Sequence, residues 1–118
     1  MTLLVIILGA AVGAPLRYLT DRFVQARHDS VFPWGTFAVN VVGSFLLGAV
    51  TAGRLGGLPL ALVGPGFCGA LTTYSTFGYE TVRLAEDGAY VYALANVAAS
   101  VAAGLGAAFC GAALALAL

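Results

Sequence analysis

The sequence predicts an all-α membrane protein with four transmembrane helices, the third of them broken. Hydrophobic residues make up 61% of the chain and charged residues only 8%, whereas soluble domains carry about one quarter charged residues. The few charged residues are clustered and leave four long uncharged intervals, at 1–16, 30–53, 55–79 and 88–118. Helix-breaking residues and hydroxyl groups interrupt the third interval, which sets it apart from the others.

The uncharged intervals set the positions of the predicted spans. A helix needs about 20 mostly apolar residues to cross the hydrocarbon core, so the first interval is extended past Arg17. A secretory signal there is disfavoured because no basic residue precedes its apolar run. The whole chain, 1–118, is then one transmembrane domain with approximate spans at 2–20, 33–53, 58–82 and 89–116.

Little of the chain is left outside the membrane. The longest polar stretch is 21–30 and contains His28, which we expect to be a solvated side chain. The net charge of zero gives no footprint for nucleic acid. We therefore expect any chemistry to lie within the bilayer.

The arginines leave the orientation open. Four of them fall on one side of the membrane and Arg54 on the other, which by the positive-inside rule places the first loop in the cytoplasm. The bias is small, and Arg17 and Arg83 sit at span ends, where pore or packing roles are alternatives. Insertion in both directions is compatible with this pattern.

The second and fourth spans each carry a stripe of small and polar residues. Such stripes let membrane helices approach closely, and Asn or Ser can hydrogen-bond across the contact. For Asn40, an amide near mid-membrane suits a polar permeant equally well. The stripes consist of Thr36, Asn40, Gly43, Ser44, Gly48 and Thr51 in the second span, and of Tyr92, Asn96, Ala99, Ser100, Ala103, Gly104, Ala107 and Gly111 in the fourth.

The third span combines helix breakers with a run of hydroxyl side chains. Gly64, Pro65 and Gly66 are followed by four Ser or Thr residues within 72–76. Glycine is poor in helices and proline lacks an amide donor, so we expect carbonyls in 66–72 to lose their helical partners. Broken backbone at this depth is tolerated only inside protein, around an ion or along a wet cavity. The alternative is a simple kink at Pro65.

The two cysteines, Cys68 and Cys110, both lie within predicted spans. They show no metal-ligand spacing. We interpret both as small buried hydrophobic residues.

Four stretches resemble the small fluoride channels called Fluc or CrcB, over essentially the whole length of the chain. They are GAPLRY at 13–18, GTFAVN with GSF at 35–45, GFCG through TTYSTF to Glu80 at 66–80, and Asn96. The third stretch is highly specific and the others support it.

The resemblance implies an antiparallel, dual-topology homodimer with two fluoride pores along the subunit interface and a structural sodium ion at its centre. The positions that match the family's sodium ligands are Gly69 and Thr72, which would bind through backbone carbonyls. Carbonyl oxygens suit a hard cation.

The resemblance also assigns the pore. The family's pore asparagine matches Asn40, and its two pore phenylalanines match Tyr74 and Phe77. Tyr74 departs from the family's usual Phe, which keeps the ring and adds a hydroxyl. Further expected contacts are hydroxyl donors at Ser75 and Thr76, a vestibule charge at Arg17, and, by helical face alone, Tyr92 and Ser100.

The implied function is passive export of cytoplasmic fluoride through a selective channel in the bacterial inner membrane, giving fluoride resistance, with no enzymatic activity. One alternative is a small multidrug-type exporter, which requires a membrane-embedded carboxylate; Glu80 is the candidate, at the end of the third span. Another alternative is a structural membrane subunit without transport, which a continuous third helix would favour.

Overall fold

The computed structural model describes residues 1–27 and 31–118, and within these ranges every regular element is helical. The predicted solvated side chain of His28 lies outside the described residues. The elements are α1 (Thr2–Arg27), α2 (Trp34–Ala52), α3 (Gly57–Ala61), a π-helical segment (Leu62–Cys68), α4 (Gly69–Leu71), α5 (Ser75–Glu86) and α6 (Tyr90–Ala117).

Among the described residues, three helices, α1, α2 and α6, are long and apolar enough to cross a membrane. The third predicted span, 58–82, consists of shorter elements, namely α3, the π-helical segment, α4 and most of α5. The longest dimension of the molecule is 46 Å, close to the roughly 40–45 Å of a bilayer with its head groups. The all-helical membrane architecture predicted from the sequence is therefore confirmed.

The break in the third crossing lies at 72–74, later than Pro65 suggested. The prediction that regular α-helix is interrupted around Pro65 is confirmed as a π-helical segment, Leu62–Cys68, but the chain leaves helical geometry only after Leu71. π-helical bonds connect residues five apart, and here the amide of Gly69 donates to the carbonyl of Gly64. This wider turn accommodates the missing amide hydrogen of Pro65.

Helix α1 packs against the π-helical segment through two buried glycines. A methyl group added at Gly9 would lie 2.8 Å from the amide nitrogen of Phe67, and one at Gly13 would lie 3.1 Å from the Cβ of Ala70. The backbones are therefore in direct contact. This contact fixes the first half of the third crossing against α1.

Helices α2 and α6 pack along their small-residue faces. A methyl group at Gly48 would lie 2.8 Å from the carbonyl carbon of Ala108, and one at Gly111 would lie 2.9 Å from the carbonyl carbon of Phe45. Only the absence of side chains permits this approach. The stripes in the second and fourth spans thus serve helix packing over this part of their length.

The two cysteines lie in different surroundings. Cys68 is fully buried beneath α1 and α2, whereas Cys110 is exposed on α6. The interpretation of both as buried is wrong for Cys110, because α6 turns only its small-residue face to α2.

Candidate functional site

The site is built around the interruption between α4 and α5. The last helical bond before it runs from the amide of Thr72 to the carbonyl of Cys68, at 3.0 Å. The hydroxyl of Thr72 donates to the same carbonyl at 2.9 Å. Thr72 then turns to extended backbone, with φ −80° and ψ 163°, and regular helix resumes at Ser75.

Asn40, on α2, holds the interruption with both ends of its side-chain amide. Its Nδ2 donates to the carbonyl of Thr73 at 3.0 Å, and its Oδ1 accepts from the amide of Thr73 at 2.8 Å. In a continuous helix the amide of Thr73 would donate to the carbonyl of Gly69, four residues earlier. The Asn40 side chain therefore accepts the hydrogen bond that the Thr73 amide would otherwise donate to the carbonyl of Gly69.

The side chain of Thr73 replaces a backbone acceptor in the same way, three residues further along the chain. Its side-chain Oγ1 accepts a hydrogen bond from the amide of Thr76 at 3.2 Å. In a continuous helix that amide would donate to the carbonyl of Thr72. Thr73 had no role assigned from the sequence, although a Thr three residues before an amide at a helix start is a recognisable capping pattern.

The carbonyls of Gly69 and Thr72 thus each lose the amide that a continuous helix would supply. Both were expected, from the family resemblance alone, to bind sodium. Within residues 1–27 and 31–118, no cluster of three or more His, Cys, Asp or Glu side chains is placed to hold a metal. A cation at this point would therefore depend on backbone oxygens, and the donor set fits a hard monovalent ion.

An open cleft of about 340 Å³ lies on one side of the interruption. It contains four of the predicted pore residues, namely Asn40, Tyr74, Phe77 and Ser100. The ring centroids of Tyr74 and Phe77 are 6.3 Å apart, with the ring planes inclined at 48°. Tyr74 is 86% exposed, so the rest of the chain leaves its ring almost uncovered.

A smaller cleft of about 150 Å³ lies on the other side and contains Arg17 and Thr76. Thr73 borders both clefts and separates them. The predicted vestibule residue and the predicted hydroxyl donor Thr76 are therefore brought together, but away from the two aromatic rings.

One carboxylate borders the smaller cleft, and another is hydrogen-bonded to a residue that borders it. Glu80, on α5, accepts a hydrogen bond from the hydroxyl of Thr36 on α2. Asp21 borders the cleft, and its Oδ1 is buried with no hydrogen-bond partner among the described residues.

Two predicted contacts fall outside both clefts. Ser75 is exposed in the first turn of α5, and Tyr92 is 46% exposed near the start of α6. Neither borders the cleft that contains Asn40 or the cleft that contains Arg17.

A chain of hydrogen bonds ties α6 to the backbone of Phe77. Ser100 donates to Oδ1 of Asn96 at 3.3 Å, and Nδ2 of Asn96 donates to the hydroxyl of Thr81 at 2.9 Å. Thr81 in turn donates to the carbonyl of Phe77 at 2.8 Å. Asn96 is 1% exposed. Thr81 could not be singled out from the sequence, because a Thr bonded to the carbonyl four residues before it resembles any helical Thr.

Comparison with known proteins relates the chain to a single family. Residues 4–112 match the family described as CrcB-like protein, Camphor Resistance (CrcB). The chain is 63% identical, over 94% of its length and 93% of the relative, to a protein of Streptomyces avermitilis named Fluoride-specific ion channel FluC 1. It is 61% identical, over 100% of its length and 98% of the relative, to a protein of Frankia casuarinae with the same name. A third relative of that name, from Thermobifida fusca, is 51% identical over 94% of this chain.

Proposed function

This chain belongs to the CrcB-like protein family, and we propose that it is a fluoride-selective ion channel through which cytoplasmic fluoride leaves a bacterial cell across its inner membrane. The observation that carries the proposal is the broken third crossing beside the cleft that contains Asn40, Tyr74 and Phe77. The ion is taken from the names of three relatives, 51–63% identical to this chain, which are called fluoride-specific ion channels.

The cleft has the chemistry to accept an anion that has shed water. Aromatic rings carry partial positive charge at their edges, and Tyr74 and Phe77 present two neighbouring rings. Asn40 uses one of its two Nδ2 hydrogens on Thr73, so the other remains for the ion. The hydroxyl of Ser100 borders the same space.

Passive conduction is sufficient for export. Hydrogen fluoride is a weak acid that enters cells as a neutral molecule and dissociates at cytoplasmic pH. The membrane potential then drives the anion outward with roughly 2.3 kcal/mol per charge for each 100 mV. The function requires neither ATP nor an enzymatic step.

We infer that two copies assemble as an antiparallel homodimer. The cleft is open along one side, and Tyr74 is 86% exposed. A single chain therefore leaves its pore residues against lipid, which is a poor environment for a permeant anion. A second copy in the opposite orientation would cover them, and the weak arginine bias is compatible with insertion both ways.

The same assembly accounts for the two freed carbonyls. We propose that Gly69 and Thr72 hold a structural sodium ion through their carbonyl oxygens, together with the equivalent atoms of the second copy. The ion would satisfy acceptors that otherwise face the membrane interior without donors. The interruption of the third crossing opposes the alternative of a purely structural subunit with a continuous helix.

The test is fluoride release from liposomes. Vesicles loaded with potassium fluoride and treated with a potassium ionophore should release fluoride to an electrode, while matched chloride vesicles stay near background. Equal release of both halides would defeat the selective-channel proposal.

Two variants test the pore assignment. Phe77→Ile removes a ring edge and Asn40→Asp replaces amide donors with a carboxylate, so each should cut fluoride flux while the dimer persists on size-exclusion chromatography. Normal flux in both variants would show that these residues do not line the pore.

The dual orientation is tested by placing single cysteines in the loops and labelling them from each side of the vesicle. It requires partial labelling of the same loop from both sides.

A further inference from the structure

The hydroxyl of Thr73 accepts the hydrogen bond that a continuous helix would direct to the carbonyl of Thr72. The chain between α4 and α5 has a choice of hydrogen bonds at this point. The amide of Thr76 can close a regular turn on the carbonyl of Thr72, or it can donate to the hydroxyl of Thr73. The observed bond is the second, at 3.2 Å.

The surroundings of Thr73 favour this arrangement. Its side chain is 9% exposed and lies in the wall between the two clefts. Its own backbone amide and carbonyl are both bonded to Asn40. The backbone is therefore fixed from α2, and the hydroxyl is left to cap the first turn of α5.

A cap that competes with the helical ladder has a specific consequence for the carbonyl it frees. A backbone oxygen that already accepts a hydrogen bond is a weaker cation ligand than one that does not. Thr73 thus makes the Thr72 carbonyl available, as Asn40 does for Gly69.

We propose that Thr73 is a positioning residue for the cation site: its hydroxyl diverts the amide of Thr76 and so holds the Thr72 carbonyl free for sodium. The proposal rests on the sodium site inferred above. It differs from ordinary helix capping, because capping alone would stabilise the protein equally in every salt.

The test compares Thr73→Val with Thr73→Ser and the unchanged protein. Valine has nearly the shape of threonine and lacks the hydroxyl, whereas serine keeps it. The full-length protein in detergent is melted in sodium chloride and in choline chloride at equal ionic strength, with intrinsic fluorescence as the readout. Thr51→Val, at an exposed position near the end of α2, is the matched control for loss of a threonine hydroxyl.

We expect sodium to raise the melting temperature of the unchanged protein, Thr73→Ser and Thr51→Val. In Thr73→Val the sodium-dependent rise should be lost or should require about fivefold more sodium, the factor that corresponds to one hydrogen bond. Equal sodium dependence in Thr73→Val and the unchanged protein would overturn the proposal. So would an equal loss of stability in both salts, which would indicate capping alone.

Two further outcomes separate this inference from the proposed function. If sodium does not stabilise the unchanged protein, the cation site and the role of Thr73 both fail, whatever the fluoride flux. If the sodium response follows the Thr73 hydroxyl but liposomes release no fluoride, the role of Thr73 stands and the channel proposal fails. Thr73→Ala removes the same hydroxyl and carries the comparison if the valine variant does not accumulate.

Discussion

The contact between α2 and α6 predicts opposite effects for two glycine-to-alanine substitutions in the same helix. A methyl group at Gly111 would lie 2.9 Å from the carbonyl carbon of Phe45 and 3.0 Å from the amide nitrogen of Ala49, and closer still to the Phe45 carbonyl oxygen. Ordinary contacts begin at 3.4 Å, so the helices must move apart. At Gly106 nothing lies within 4 Å of the added methyl group.

The size of the effect follows from these contacts. Overpacking costs about 1–3 kcal/mol, and the upper part of this range applies at Gly111 because the obstructing atoms belong to backbone and cannot rotate away. Alanine also gains about 1 kcal/mol over glycine within a helix. This gain is common to both positions, so the difference between Gly111→Ala and Gly106→Ala isolates the packing cost of about 1–3 kcal/mol.

The assay is unfolding in mixed micelles, with sodium dodecyl sulfate as the denaturant and far-ultraviolet circular dichroism as the signal. Gly106→Ala should be as stable as the unchanged protein or more stable, and Gly111→Ala should be less stable than Gly106→Ala by about 1–3 kcal/mol. If the two variants unfold within about 0.5 kcal/mol of each other, the close approach of α2 and α6 at Gly111 is refuted.

Three other predictions concern the site and its supports. Asn96→Ala should lower the free energy of unfolding by about 1–2 kcal/mol in the same titration, because it removes two hydrogen bonds from a buried amide; unchanged stability would show that the chain from α6 to Phe77 contributes nothing. Tyr74→Phe should keep fluoride release from liposomes, since it retains the ring and removes only the hydroxyl, and loss of release would show that the hydroxyl is required. A small, lipid-soluble maleimide should modify Cys110 faster than Cys68 in the folded protein, because Cys110 lies on the outer surface of α6 whereas Cys68 is 1% exposed; mass spectrometry should find the second adduct only after unfolding, and faster modification of Cys68 would contradict its burial.

Part of the site follows from local sequence. The hydroxyl run at 72–76 and the neighbouring glycines indicate that the third crossing is irregular, and its family resemblance points to Asn40, Tyr74 and Phe77. The structure brings these three together with Ser100. Ser75 and Tyr92 border neither cleft, and neither a hydroxyl in the run nor a position on a helical face is enough to identify a lining residue.

The position of the break was not predictable in the same way. Pro65 is the strongest local helix breaker in the third span, yet a π-helical turn accommodates it. The helix ends instead at Leu71, next to the hydroxyl run at 72–76, whose residues break helices far less strongly than proline does. The reason is that Asn40 and Thr73 compete for amides there, and one of these partners comes from another helix.

Composition and the distribution of charges by themselves determined that this is an all-helical membrane protein, because charge is excluded from the hydrocarbon core wherever a helix lies in it. The tertiary structure alone decided which carbonyls lose their donors and where the clefts lie. Asn40 and Thr73 are 33 residues apart in the chain, and their double hydrogen bond forms only after α2 has packed beside the third crossing. Local preference sets which segments become helices, whereas the choice between two acceptors for one amide depends on the partner that packing brings within reach.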